Sequence, residues 1–161
     1  MLFHWLRDYG KGRSGATGVV DAIFADAAAA SPEIFTRDSR VEPFQQAKFE
    51  HMCPWAGLAL FKMSDAETRT LGRGVMEELV DRLEIGLREG GVGDMKVGVH
   101  VRKYAAALHG RVRRYAKLLD TQDWDGLEKA LGEHGVGKQV ATELQARLGE
   151  VGTGKKARRQ A

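Results

Sequence analysis

The tetrapeptide HMCP, residues 51–54, places an imidazole and a thiol two positions apart. Thiolate and imidazole are both axial ligands of haem iron, which makes Cys53 a candidate haem ligand; a kinked apolar helix accounts for the same residues. A second stretch, GLREGGVGDMKVG at 86–98, sets Gly90, Gly91 and Gly93 between an Arg–Glu pair and an aspartate. Glycine-rich loops can cradle phosphates, but a dinucleotide fingerprint follows a strand and a Walker loop ends in Lys-Ser/Thr. Here a helical segment precedes and the Lys-Ser/Thr pair is missing, so the stretch reads as a corner between helices. Gly90 or Gly91 suits the left-handed residue that ends one helix, and Asp94 suits the N-cap of the next. The five histidines, at 4, 51, 100, 109 and 134, lack zinc-like spacing, and no nucleophile–base pair is legible. Neither an enzyme nor a bound cofactor is expected.

The elements that would position these residues all repeat at helical spacing. Val19, Ile23 and Ala27 recur every four residues in the first, which breaks at Ser31-Pro32. A second runs through PFQQAKFEHMCPWAGLALFKM, with Phe44, the Lys48 stem, His51, Met52 and Trp55 on one face. Pro54 removes a hydrogen bond inside it and is expected to kink or split it, exposing Phe49, Trp55 and Leu58. A third begins at a capping box, Ser64 with Glu67, and carries Leu71, Val75, Leu79, Leu83 and Leu87. The fourth has the longest seam, through Val97, Val101, Tyr104, Leu108, Val112, Tyr115 and Leu119. Two shorter helices follow, one after Asp123 and one with Val136, Val140, Leu144 and Leu148. The fold class is therefore all-α: a single-domain bundle whose central pair is antiparallel, long, and joined at the Gly-rich corner.

Charge is distributed unevenly over this bundle. Four of the positive charges lie in KKARRQA at 155–161, so the net charge of +3 leaves the rest of the chain at −1. Residues 149–161 are expected to form a disordered basic tail, after a helical domain at 19–148 and a flexible segment at 1–18. From Met95 to Leu119 there are seven basic residues and no acidic one. Lys96, Arg102, Lys103, Arg113, Arg114 and Lys117 fall opposite the seam, as a solvated face or as a docking face for RNA or an acidic lipid leaflet. Arg111 lies at the seam's edge, where a guanidinium needs a carboxylate; Glu89, Glu50 and Asp94 are the candidates.

Cys53 is the only cysteine, so no disulfide framework exists and a reducing compartment is expected. No run approaches the length of a spanning helix. The opening MLFHWLRDYGKGRSG lacks the pattern of a secretory signal, although Leu2, Phe3, Trp5 and Leu6 could touch a membrane surface.

One motif says more than the physics does. LREGGVGDMKVG resembles the signature L-R-E-x-G-V-G-D-x-x-V-G of the ubiquinol–cytochrome c chaperone family. LHGRVRRYAKLL is similar to that family's F-Y-G-R-x-x-A-Y segment through Gly110, Arg111 and Tyr115. AKFEHM resembles its G-R-F-E motif, and VVDAIFADAAAASPEIF its opening helix followed by R-P-x-F-Y. The likeness runs in order over about residues 19–119. Ala47 and Lys48 stand where the motif has glycine and arginine, the V-P-D-T before it is not recognisable, and Pro54 interrupts an apolar helix.

The resemblance implies a non-enzymatic assembly factor that binds newly made cytochrome b, or a similar membrane client, for respiratory complex III. The partners it implies are that hydrophobic client, a ribosome or inner-membrane surface, and a second small assembly protein; the location is cytoplasmic or peripheral at the inner membrane. The client-binding residues it suggests are Lys48, Phe49, Glu50, Trp55, Leu58, Arg88, Glu89, Asp94, Arg111 and Tyr115, with Arg88, Glu89 and Arg111 forming one charge network at the corner. The alternative is a helical adaptor that binds nucleic acid or ribosome through the basic face.

Overall fold

The computed structural model describes residues 13–37 and 42–160, with side chains at 15–37 and 45–149. The expectations placed on Leu2, Phe3, Trp5, Leu6, the Phe44 side chain and the side chains of the basic tail lie outside these. Among the described residues every regular element is a helix: α1 Arg13–Ala30, α2 Pro32–Phe35, α3 Glu42–Lys62, α4 Arg69–Glu89, α5 Asp94–Asp120, α6 Trp124–Glu133 and α7 Lys138–Gln160.

The apolar periods fall where they can be buried together. Val19, Ile23 and Ala27 of α1, Val75 and Leu79 of α4, and Leu108, Val112, Tyr115 and Leu119 of α5 all lie in one core. Leu127 and Leu131 of α6 and Val140, Leu144 and Leu148 of α7 complete it. At the centre stands α3, in which each residue from His51 to Leu58 is buried. A helix apolar on all sides needs neighbours on all sides, and α3 packs against α1, α5 and α7.

The expected break at Pro54 does not occur; α3 continues through it to Lys62. A proline inside a helix removes one N–H, here the donor to the Glu50 carbonyl, and crowds the preceding turn. Packing around this segment holds the helix together in spite of that loss.

Paired contacts give the helix directions. Gln46 meets Tyr104, Glu50 meets Arg111, and Gly57 meets Tyr115, so α3 and α5 run side by side in the same direction. Between them in the chain, α4 runs the other way, with Gly86 near Gln45 and Gly72 near Leu60. α5 comes close to α3 at Gly57, where an added Cβ would stand 2.7 Å from the Cβ of Tyr115.

The α4–α5 corner closes as a Schellman motif. The Val92 N–H donates to the Leu87 carbonyl at 3.0 Å and the Gly91 N–H to the Arg88 carbonyl at 3.1 Å. Gly91 is the left-handed residue, at φ +88°, and Gly90 is the helical C-cap before it. At Gly90 an added Cβ would meet the Gln45 side-chain amide, the far end of a flexible side chain that has to shift to make room. Gly93, at φ −66°, is the N-cap of α5, and its carbonyl accepts from Lys96 and Val97. Asp94 is thus the first helical residue and not the cap. At the start of α4, the expected capping box is replaced by Asp65, whose carboxylate accepts from the Thr68 N–H at 2.9 Å; the helix begins at Arg69.

Candidate functional site

Arg111 finds its carboxylate in Glu50. The guanidinium forms a fork with it, Nη2 to Oε1 at 2.7 Å and Nε to Oε2 at 2.8 Å. Glu50 is only 4% exposed, and Gln46 supports it by donating to Oε1 at 3.0 Å. The Tyr104 hydroxyl in turn donates to the Gln46 side-chain oxygen Oε1 at 3.1 Å. On the far side His134, at the end of α6, sets Nδ1 3.3 Å from Arg111 Nη2 and 3.6 Å from Glu50 Oε2. The guanidinium also lies 5.4 Å over the Phe49 ring, which meets Tyr104 edge-on at 5.0 Å. Three helices are tied here, α3 and α5 by charge and α6 by a ring nitrogen. Gln46 and His134 were not singled out by the sequence, since neither lies in a motif or on a seam.

Arg88 belongs elsewhere. It bonds Glu84 at 3.1 Å and also Asp94, across the corner, while Glu89 is exposed. The expected single network of Arg88, Glu89 and Arg111 is therefore two separate clusters. Seventeen residues of helix separate Asp94 from Arg111, about 25 Å at 1.5 Å per residue, and no side chain spans that.

The expected apolar patch is corrected as well. Phe49, Trp55 and Leu58 are 3%, 3% and 4% exposed, and Tyr115 is buried with them. Because α3 stays intact at Pro54, these side chains keep their neighbours and form core. Arg147 lies 5.9 Å over the Trp55 ring and is itself held by Asp26 at 3.1 Å. Lys48 is half-buried and donates to the Arg37 carbonyl at 2.7 Å. Cys53 has no exposed surface, and burial first, then the nearby Glu50 charge, pushes its thiol up. A haem ligand needs a thiolate and an open face; Cys53 offers neither, so these residues do not fit the group.

Two surfaces remain. Along α5, Lys96, Arg102, Lys103, Arg113, Arg114 and Lys117 are all exposed, opposite the seam. Arg114 is paired with Glu133 at 2.7 Å, which lowers the Glu133 carboxyl. Among the described residues the other five have no carboxylate at ion-pair distance. On α4, Glu78 pairs with Arg82 and Glu84 with Arg88, while Glu77 and Asp81 line the same groove as Arg113. The second surface is a groove of about 1140 Å³ between the end of α3, α4 and α5. Its apolar wall is Leu60, Met63, Met76 and Val80, and its charged rim includes Arg73, Glu77 and Arg113. None of the wall residues was nominated from sequence; each looked like one more apolar position of its helix.

The family model described as "Ubiquinol-cytochrome C chaperone" matches residues 55–153. That stretch contains the corner motif and the Gly110–Tyr115 segment, and extends past them through α6 into α7. The motif at 47–52 and α1 lie outside it. No curated protein and no solved structure matches the chain.

Proposed function

This chain belongs to the ubiquinol-cytochrome C chaperone family, and from that premise we propose that it is a non-catalytic assembly factor holding an apolar segment of newly made cytochrome b. The family match carries the reading. Within the matched stretch, the groove walled by Leu60, Met63, Met76 and Val80 is the surface best suited to such a client. Its physical chemistry favours loose, adaptable capture. Met63 is core, so the accessible part of the wall comes from Leu60, Met76 and Val80, and the flexible, polarizable Met76 side chain can pack against apolar partners of varied shape. Neither the fork at Glu50 nor the buried His51–Leu58 segment of α3 faces the client; they hold α3 and α5 in place, and the end of α3 and one side of α5 border the groove.

Photo-crosslinking tests this. A crosslinking residue at Met76 should capture cytochrome b as it is translated on ribosomes of the native organism, whereas one at Glu128 on α6 should not. Val80→Asp should abolish capture while leaving the melting transition cooperative. If Met76 captures nothing from a folded chain, or captures soluble nascent chains equally well, the groove is not the client site.

A further inference from the structure

The outer face of α5 has an apolar end. Met95 is 97% exposed and Val99 60%, both on the first two turns after the corner. At 100° per residue, Met95, Val99, Arg102, Lys103, Arg113 and Lys117 lie within one stripe of the helix surface. Every one of them is exposed, as are Ala106 and Gly110 between them. From Met95 to Lys117 the stripe is about 33 Å long at 1.5 Å per residue. Of the acidic groups at its borders, Asp94 is engaged by Arg88 and Glu133 by Arg114, Asp120 marks its far end, and Glu77 and Asp81 share the α4–α5 groove with Arg113.

We propose that this stripe docks the protein along an anionic lipid leaflet, with Met95 and Val99 entering the headgroup–acyl boundary and Arg102, Lys103 and Lys117 meeting lipid phosphates. Two observations select lipid over RNA. Single-stranded RNA is held by stacking on exposed aromatic rings as well as by cations, and the stripe displays no aromatic side chain. Two exposed aliphatic side chains beside a row of unpaired cations instead match the interfacial pattern, in which apolar area and charge act together. Among the described residues no helix is long and apolar enough to cross a membrane, so a surface of this kind supplies contact without a span. The proposal does not depend on the client: it concerns the opposite face of α5 and is measured with no client present.

The test exploits the burial of Cys53. Met95→Cys places an accessible thiol on the stripe, so a polarity-sensitive dye labels position 95 selectively. With vesicles of mixed phosphatidylglycerol and phosphatidylcholine the dye should shift to the blue, and with phosphatidylcholine alone it should not. A label at Glu128→Cys on α6 should stay unchanged with both. The triple variant Arg102→Gln/Lys103→Gln/Lys117→Gln should partition on the order of a hundredfold more weakly, about fivefold per cation. All three sites are exposed, so its melting temperature should match the parent's. The proposal is overturned if the label at 95 ignores anionic vesicles, if both vesicle types bind equally, or if an RNA oligomer strips the chain from vesicles at stoichiometric amounts.

Discussion

Glu50 is a carboxylate held in a setting that favours neutral groups, and it is retained there by one guanidinium and one amide. Removing a single member of such a pair leaves the other charge without compensation, whereas removing both together is far milder. Glu50→Gln should therefore cost about 2–4 kcal/mol, less than a fully enclosed pair because Arg111 retains some solvent. The double variant Glu50→Leu/Arg111→Met should lose much less than the two single changes combined, as read from urea unfolding. Simple additivity would show that the fork is not a coupled unit. A second residue-scale effect concerns protons. Burial pushes both the Cys53 thiol and the Tyr115 hydroxyl up from their ordinary 9.0 and 10.0. The folded chain thus keeps these protons to higher pH than the unfolded chain does. The unfolded state binds fewer protons in that window, so stability is full below about pH 9 and falls as pH rises, by up to about 1.4 kcal/mol per unit for each group. Urea midpoints at mildly and strongly alkaline pH should show this decline, with a shallower slope in Cys53→Ala. A flat profile up to about pH 11 would contradict it.

At the scale of elements, the corner was legible because its chemistry is local. Three glycines and an aspartate after an amphipathic run mark a helix end, whatever the rest of the fold does. The roles within it were less legible: Gly91 alone has a positive φ, Gly90 lies against the Gln45 amide, and Asp94 entered the helix to meet Arg88. This separates two substitutions that look alike in sequence. Gly91→Val should destabilise by roughly 1–2 kcal/mol, because a β-branched residue resists the left-handed region. Gly93→Val should melt within a few degrees of the parent, since φ −66° is ordinary for any residue. Equal losses in both would refute the Schellman assignment. Non-local features could not be read in this way. Gly57 appears as one small residue in an apolar run, and only the approach of α5 gives it a purpose. Likewise Pro54 carries a strong local rule, which the enclosure of α3 overrides. The groove was hidden for a related reason: Leu60 and Met63, Met76 and Val80 come from different helices, and only their meeting makes a surface.

The whole molecule is organised around two helices that run the same way. Parallel neighbours cannot be joined by a short turn, so α4 must pass back between them. The fork consequently links residues 61 positions apart, and Arg147 reaches Asp26 across 121. That arrangement has a consequence for the chain during its own synthesis. When α3 leaves the ribosome, the partner for its His51–Leu58 face has not yet been made. At some 5–20 residues per second, roughly 3–12 s separate the emergence of Glu50 from the emergence of Arg111, 61 positions later. Nascent chains arrested before α5 emerges should be cut readily by protease within α3, and chains arrested after it clears should resist. Protection of the shorter chains would mean that α3 finds cover from α1 alone. For those seconds this member of a chaperone family displays an apolar helix covered at most by α1, and needs shelter of its own before it can offer any.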